Sequence, residues 1–135
     1  MDTDTIVAAM RSPTGASAAL LRAARSGRVT LVATVPLCIE YEDVCSRPEH
    51  VTAAELSPAD LAVFLNSVMD LVEPVSVWFL WRPQLRDPGD ELVLEAAVNG
   101  RAIAIVTFNR RDFRSAADRF GMSILLPAEA IRRVA

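Results

Sequence analysis

The chain has 135 residues, of which 52% are apolar and 23% are charged, and its formal net charge is −3 at pH 7. A single domain over residues 1–135 is expected, because this length supports one core and this apolar fraction excludes a disordered chain. Because the net charge is negative, the protein surface as a whole is not basic. No apolar run is long enough to cross a bilayer and no signal peptide is recognisable, so a cytoplasmic protein without membrane contact is expected.

Cysteine and histidine chemistry is limited by the low number of both residues. Cys38 and Cys45 are the only cysteines, and His50 is the only histidine. The two cysteines fall two turns apart in one predicted helix, too far for a disulfide. A zinc cluster and a nucleophile paired with histidine are therefore disfavoured, and His50, which follows Pro48, is interpreted as a surface residue.

The first half of the chain is predicted to contain three helices and one short strand. Only Met1 precedes Asp2, so a first strand ending at Asp2 would be truncated. Thr34 and Ser57 are predicted helix caps, and each is followed within two residues by a proline. The predicted elements are a helix over 16–26, a strand over 29–33, a helix over 35–46, a connection over 47–56 and a helix over 57–72.

Glu40 is the unusual carboxylate of its predicted helix. At about 100° per residue, Leu37, Tyr41 and Val44 form one apolar stripe. Glu40 projects beside that stripe, whereas Glu42 faces solvent. A carboxylate in such a place most often rims the core and reaches out to water, and Glu40 taken alone has this structural interpretation.

Four carboxylates fall within the nine residues 87–95 and introduce a helix that is apolar on almost every side. Pro88-Gly89 predicts a turn. Asp90 and Glu91 then lie in the first helical turn, where exposed N–H groups favour negative charge. Because such a helix is buried, these carboxylates lie at the edge of a core and need a partner. A divalent cation is one candidate.

The second half of the chain continues the alternation of helices with short strands, which predicts a three-layer α/β fold with a central parallel sheet. Ligands bind beyond the carboxyl ends of such strands. One cleft would collect Asp2, Glu40, Asp90 or Glu91, and Asn109 or Asp112. The remaining predicted elements are an edge strand over 75–79, a loop over 81–85, a strand over 102–107, a polar segment over 109–113, a helix over 115–120, a strand over 123–126 and a helix from 127.

Four segments, in this order, resemble those of the PIN-domain (PilT N-terminus) family, in the subfamily described as toxins of toxin–antitoxin systems. Residues 2–7 resemble the opening Asp-Thr-Asn motif, and residues 35–44 resemble the helix that carries a glutamate. Residues 81–91 are similar to the central acidic motif, and residues 105–113 resemble the strand and loop with the fourth polar position. The resemblance covers essentially the whole chain and implies a three-layer α/β/α PIN-like fold.

The resemblance also implies a metal-dependent endoribonuclease. Mg²⁺ or Mn²⁺ would be the cofactor, RNA the substrate, an antitoxin protein the partner and a homodimer the assembly. Asp2 and Glu40 would be the first two metal-binding and catalytic carboxylates, and Asp90 and Glu91 are alternatives for the third. Asn109 would be the fourth metal ligand. Asp112 would lie nearby, and Thr107 would hold the loop.

Departures from the family pattern keep a second interpretation open. Asp4 stands where the family usually has asparagine, and Asn109 stands where many members have aspartate. An amide oxygen carries no charge, so metal binding would weaken. The alternative is a catalytically impaired PIN domain that binds a protein or RNA partner. A general nucleotide-binding domain is disfavoured because the chain has no glycine-rich phosphate loop.

Arginine and aromatic residues flank the motifs that carry the resemblance. The candidates for contact with the RNA backbone, which are otherwise ordinary surface arginines, are Arg82, Arg86, Arg110 and Arg111. Core packing is expected for Trp78, whereas Trp81 and Phe108 are candidates for stacking on bases.

Overall fold

A computed structural model of the chain describes residues 1–78 and 84–134. The predicted loop over 81–85, with Trp81 and Arg82, falls largely outside the described residues. None of the helices in the described ranges is long and apolar enough to traverse a bilayer. The elements are α1 (Thr3–Arg11), α2 (Ala16–Arg25), β1 (Leu31–Ala33), α3 (Val35–Cys45), α4 (Pro48–Ala54), α5 (Pro58–Leu71), β2 (Val72–Pro74), α6 (Pro88–Asn99), β3 (Ala104–Val106), α7 (Arg110–Phe120), β4 (Ser123–Leu125) and α8 (Pro127–Val134).

The four strands form two parallel pairs, which confirms the predicted α/β class. β1 pairs with β2, with Leu31 opposite Val72, and β3 pairs with β4, with Ala104 opposite Ser123. Within the described residues the two pairs are separate sheets rather than one central sheet. α6 packs against both β1 and β3 and so bridges the two pairs.

Helix signals that are local in the sequence are confirmed. The Thr34 hydroxyl accepts a hydrogen bond from the Leu37 N–H at 3.3 Å, and the Ser57 hydroxyl accepts one from the Asp60 N–H at 3.1 Å. α2 ends just before Gly27, whose φ of +76° is a conformation that glycine adopts readily. These caps therefore set three helix ends, as the residue types predict.

The edge strand predicted over 75–79 is wrong for residues 75–78, and residue 79 lies outside the described residues. α5 ends at Leu71, and the chain enters β2 at once at Val72. Only the Val75 N–H continues the pairing, with a 2.9 Å hydrogen bond to the Ala33 carbonyl. Trp78, which was expected in the core, is 80% exposed, and its backbone N–H donates to the Asn99 side chain. The position of this strand is therefore set by the pairing of β2 with β1. The weak alternation of apolar residues over 75–79 did not predict it.

Three helices begin where no helix was predicted, and the first of them is α1, over Thr3–Arg11. The connection expected over 47–56 contains α4, which begins at Pro48 after Arg47 in an extended conformation. Proline is well suited to a first helical position because its missing N–H is not needed there. α7 begins at Arg110 rather than at residue 115, so the polar segment after Asn109 is helical.

The core is built around α1, α3 and α6, with β1, β3 and α7 packed against them. Tyr41 of α3 is 1% exposed, and its hydroxyl donates a hydrogen bond to the Met1 carbonyl. This contact joins α3 to the first residue of the chain. The helix that carries Glu40 is thereby fixed beside Asp2.

Tyr41→Phe is expected to lower the free energy of unfolding by about 1 kcal/mol, because the Met1 carbonyl loses a hydrogen-bond donor. Urea denaturation at pH 7 measures the change. The control is Ile39→Ala on the same helix, where the side chain is 61% exposed and the expected change is within about 0.5 kcal/mol. Equal stability of Tyr41→Phe and the parent protein would contradict this role.

Candidate functional site

One cavity of about 630 Å³ collects acidic residues that are far apart in the sequence. The amino terminus, α3, the start of α6 and the segment between β3 and α7 all contribute to its wall. Its other lining residues include His50 of α4 and Phe108. The acidic and amide residues that line it are Asp2, Asp4, Glu40, Asp87, Asp90 and Asn109.

Asp2 is buried and held by hydrogen bonds on both carboxylate oxygens. It caps α1, where its Oδ1 accepts from the Thr3 N–H at 2.7 Å. Its Oδ2 accepts from the Thr107 hydroxyl at 2.6 Å, and its backbone N–H donates to the Val106 carbonyl at 2.8 Å. The carboxylate therefore has a fixed orientation at the carboxyl end of β3.

Asp4 and Asn109 contact each other directly. The Asn109 side-chain nitrogen donates to Asp4 Oδ2 at 3.1 Å, and the Phe108 N–H donates to the same oxygen at 3.2 Å. The Thr107 hydroxyl accepts from the Asn109 N–H at 2.9 Å and so connects Asn109 to Asp2. Asp4 Oδ1 is buried without a hydrogen-bond partner in the described part of the chain. That oxygen is available to a ligand.

Asp90 and Glu91 are neighbours in the first turn of α6, but their side chains lie in different surroundings. Asp87 caps the helix and accepts from the N–H groups of Gly89 and Asp90, at 2.7 Å and 3.3 Å. Asp90 then lines the cavity. Glu91 is 6% exposed and is not among the cavity residues; its Oε1 accepts from the N–H groups of the two residues at 84–85. The structure therefore brings Asp90 to Asp2 and uses Glu91 to hold the preceding segment.

Glu40 lies against the turn that begins α6. A Cβ atom at Gly89 would lie 3.3 Å from Glu40 Oε1 and 3.0 Å from Asp87 Oδ1. These distances are tight, so the absence of a side chain at Gly89 allows the two carboxylates to approach. Glu40 thus faces the cavity instead of only rimming the core.

The carboxylates of the cavity interact unfavourably when they are all ionised. Burial, and after it the charge of Asp2, raises the pKa of Asp4 to about 7. Burial also raises the pKa of Asp90 to about 7, with added contributions from the charges of Asp2, Asp87 and Asp112. Both shifts disfavour the charged form, so the cavity favours either a bound proton or a bound cation.

The oxygen atoms that line the cavity are of the kind that bind a hard divalent cation. Carboxylate and amide oxygens are the ligands that Mg²⁺ and Mn²⁺ prefer, and the unpartnered Asp4 Oδ1 is such an oxygen. The described residues contain no preformed group of three His, Cys, Asp or Glu that could hold an ion. Side chains of the cavity would therefore have to draw together around the cation.

Asp112, Arg86 and Arg111 lie beside the cavity. They line a neighbouring hollow of about 590 Å³ that shares Asp87 and Asp90 with it. Asp112 is absent from the lining of the acidic cavity itself, so of the two alternatives at 109 and 112 the structure brings Asn109 to Asp2. The two arginines place positive charge next to the acidic group.

His50 is a residue of this cavity that the sequence did not indicate. It is half-buried, and its Nδ1 is buried without a hydrogen-bond partner among the described residues. α4 packs against α1 and brings His50 to the wall beside Glu40 and Val44. Pro48 at a first helical position, followed by Glu49, was the available signal for α4.

Asp4→Asn is expected to raise the midpoint of thermal unfolding by about 2–6 °C at pH 8, with little change at pH 4. The folded state binds the Asp4 proton more tightly than the unfolded state does. Its contribution to stability is therefore fully present below pH 4 and is lost as the pH rises through about 7. An amide does not ionise and avoids this loss.

Thermal unfolding between pH 4 and pH 8, without divalent cations, measures the difference. Glu42→Gln is the control, because Glu42 is exposed on α3. That variant should follow the parent protein at every pH. Parallel curves for Asp4→Asn and the parent protein would contradict the raised pKa of Asp4.

A comparison with models of protein families supports the resemblance found in the sequence. The family model described as a PIN domain matches residues 1–111. No curated protein and no solved structure matches the chain. The matched range covers most of the chain and includes Asp2, Glu40, Asp90 and Asn109, and it agrees with the observed α/β fold, which in this family is a nuclease-type fold. The chain therefore belongs to the PIN-domain family.

Proposed function

We propose that this PIN-domain protein is a metal-dependent endoribonuclease and the toxin component of a toxin–antitoxin pair. The observation that carries the proposal is the convergence of Asp2, Asp4, Glu40 and Asp90 on one cavity. Burial and repulsion by neighbouring carboxylates act against the ionisation of Asp4 and Asp90, and a bound cation relieves this repulsion. Clustered carboxylates of this kind are typical of sites that cleave phosphodiesters.

The residues that would hold Mg²⁺ or Mn²⁺ are Asp2, Glu40 and Asp90, with Asn109 or Asp4 as a further oxygen donor. Such an ion supplies an activated water and stabilises charge on phosphate oxygens. Thr107 fixes the orientation of Asp2, and Asp87 fixes the helical turn that presents Asp90. Glu91 has a supporting role, since it holds the backbone ahead of α6.

The two departures from the family pattern compensate for each other. Position 4 gains a carboxylate where the family usually has an amide, and position 109 has an amide where many members have a carboxylate. The two side chains are hydrogen-bonded at 3.1 Å. The exchange therefore keeps one carboxylate and one amide at the same corner of the cavity, and the charge available to a cation is conserved.

RNA is the proposed substrate because the surroundings of the cavity suit a single-stranded polynucleotide. Phe108 lines the cavity and is 50% exposed, so one ring face is accessible for stacking on a base. Arg86 and Arg111 are exposed in the adjoining hollow, where they can contact phosphates on either side of the cleaved bond.

The protein partners belong to the same proposal. Val35 and Ile39 on α3, and Val63 on α5, are large apolar side chains that are mostly exposed. Exposed apolar groups of this kind suit contact with an antitoxin or with a second copy of the chain. A cytoplasmic location is part of the same proposal, and Cys38 and Cys45 are free thiols.

A catalytically impaired PIN domain that binds RNA or protein is the second candidate function. The absence of a preformed three-residue metal cluster in the described ranges favours it. Such a protein would bind RNA through Phe108 and the arginines without cleaving it. Measurement of cleavage separates the two functions.

The purified protein is expected to cleave single-stranded RNA when Mg²⁺ or Mn²⁺ is present and to lose this activity in EDTA. Asp90→Asn should lower kcat/KM by roughly 100- to 1,000-fold, because a charged ligand of the metal ion that activates water and stabilises the phosphate is removed. The control Glu42→Gln removes an exposed carboxylate of α3 and should leave kcat/KM unchanged. Full activity of Asp90→Asn, or cleavage that persists in EDTA, would contradict the proposal.

Exchange of residues 4 and 109 tests whether the two departures compensate. Asp4→Asn alone is expected to weaken Mn²⁺ binding roughly 10- to 100-fold, since the corner loses its carboxylate. The double variant Asp4→Asn with Asn109→Asp should recover most of the affinity. Titration calorimetry with Mn²⁺ measures both effects without requiring turnover. A double variant that binds no better than the single one would show that the positions are independent.

A further inference from the structure

The acidic cavity extends beyond the carboxylates along one face of α1. Its lining includes four residues of α1 and the residue that ends the helix, namely Asp4, Val7, Ala8, Arg11 and Ser12. Residues that are three, four and seven positions apart lie on the same face of a helix. From Asp4 to Arg11 this face is about 10 Å long, because each residue adds about 1.5 Å. A continuous floor therefore joins the carboxylates to an arginine.

The part of the cavity away from the carboxylates is named the arginine end below. α3 and α4 both pack against α1, and each contributes one residue to this part of the wall. Val44 lies one turn beyond Glu40 on α3, and His50 lies on α4. The arginine end is lined by Val7, Ala8, Arg11, Ser12, Val44 and His50.

Arg11 is available to an anion. It is exposed, and its guanidinium forms no ion pair or hydrogen bond with the other described residues, although carboxylates line the same cavity. A phosphate that enters an acidic cavity is repelled unless a cation lies close to it. A metal ion would serve the phosphate that is cleaved. Arg11 can serve another phosphate of the same strand.

His50 supplies a hydrogen-bond donor to the same region. Its Nδ1 is buried without a partner, whereas its Nε2 is accessible and is not hydrogen-bonded within the described part of the chain. A neutral imidazole carries one N–H, and a buried N–H without an acceptor is rarer than a buried acceptor without a donor. The proton is therefore assigned to Nε2, where a ligand can accept it.

We propose that the arginine end binds a nucleotide beside the cleaved bond, with its phosphate on Arg11 and a hydrogen bond from His50 Nε2 to its sugar–phosphate backbone. This subsite rests on the proposed RNA substrate. The apolar side chains of Val7, Ala8 and Val44 provide a surface for the sugar and the base. Arg11 does not line the adjoining hollow with Arg86 and Arg111, so its phosphate lies on a different part of the strand.

Binding of a fluorescent single-stranded RNA, with Ca²⁺ in place of Mg²⁺, tests the proposal by anisotropy. Arg11→Gln is expected to raise Kd roughly tenfold, because a charged hydrogen bond is lost. The slope of log Kd against log salt concentration should fall by about 0.7, the value for one phosphate of a single strand. Arg25→Gln is the matched control and should change neither quantity. Arg25 is also an exposed arginine in the last turn of a helix, but it does not line the cavity.

Two variants of His50 separate its donor from its bulk. His50→Gln keeps an N–H near the position of Nε2 and should bind RNA like the parent protein. His50→Leu keeps a side chain of similar size without a donor and should raise Kd roughly fivefold. Equal Kd values for the two variants would overturn the assigned hydrogen bond.

A series of RNAs, each with one internal phosphate replaced by a neutral methylphosphonate, locates the contact of Arg11. At one position the replacement should weaken binding to the parent protein roughly tenfold and leave binding to Arg11→Gln unchanged, since the two partners act as one pair. Replacements that weaken both proteins equally at every position would overturn the proposal. So would an Arg11→Gln variant with the Kd and salt slope of Arg25→Gln.

These measurements are separable from cleavage. If the protein binds RNA with the expected losses but does not cleave it, the subsite is supported and the nuclease function is contradicted. If the protein cleaves RNA and Arg11→Gln binds as tightly as the parent protein, the subsite is overturned and the nuclease function is supported. A parent protein that binds no RNA would overturn both.

Discussion

The hydrogen bond between the Thr107 hydroxyl and Asp2 is the contact on which the site depends. It joins the first residues of the chain to the end of β3, more than a hundred positions later. The same hydroxyl accepts from the Asn109 N–H, so one buried side chain fixes two polar positions of the cavity. Together with the hydrogen bonds that Phe108 and Asn109 donate to Asp4, this contact aligns the start of α1 with the loop that carries Asn109.

Some carboxylates of the cavity are stabilised by backbone N–H groups, whereas others have raised pKa values. Asp2 and Asp87 are helix caps, so their charges are partly offset by backbone N–H groups. At Asp4 and Asp90 the effect of burial outweighs any such compensation and raises both pKa values to about 7. The fold thus holds these carboxylates in a place where they ionise reluctantly. Such a conflict between stability and charge is typical of a functional site.

Local sequence signals predicted the parts of the fold that depend on neighbouring residues. Thr34 and Ser57 were recognisable as caps because their role requires only the next three residues. Helical geometry placed Glu40 beside an apolar stripe, which by itself indicated only a carboxylate at the rim of the core. Asp90 and Glu91 could not be separated in this way. The distinction depends on where the backbone N–H groups at 84–85 lie, and tertiary structure alone sets that.

Tertiary contacts also explain what the sequence did not reveal. His50 reaches the cavity because α4 packs against α1, and the contact between Asp4 and Asn109 depends on the end of β3. β2 lies at 72–74 because of its register beside β1 and not because of its own alternation. The family resemblance identified the four motifs, and the fold shows that Asp2, Glu40, Asp90 and Asn109, one from each motif, line the same cavity.

The central claim is that these oxygens share one hard cation, and a crystal soaked in Mn²⁺ tests it most directly. The account predicts one anomalous peak in the cavity, about 2.1 Å from carboxylate oxygens of both Asp2 and Asp90. Glu91 should remain hydrogen-bonded to the backbone and away from the ion. A peak bound by Glu91 instead of Asp90, or a cavity without a peak at saturating Mn²⁺, would contradict the account.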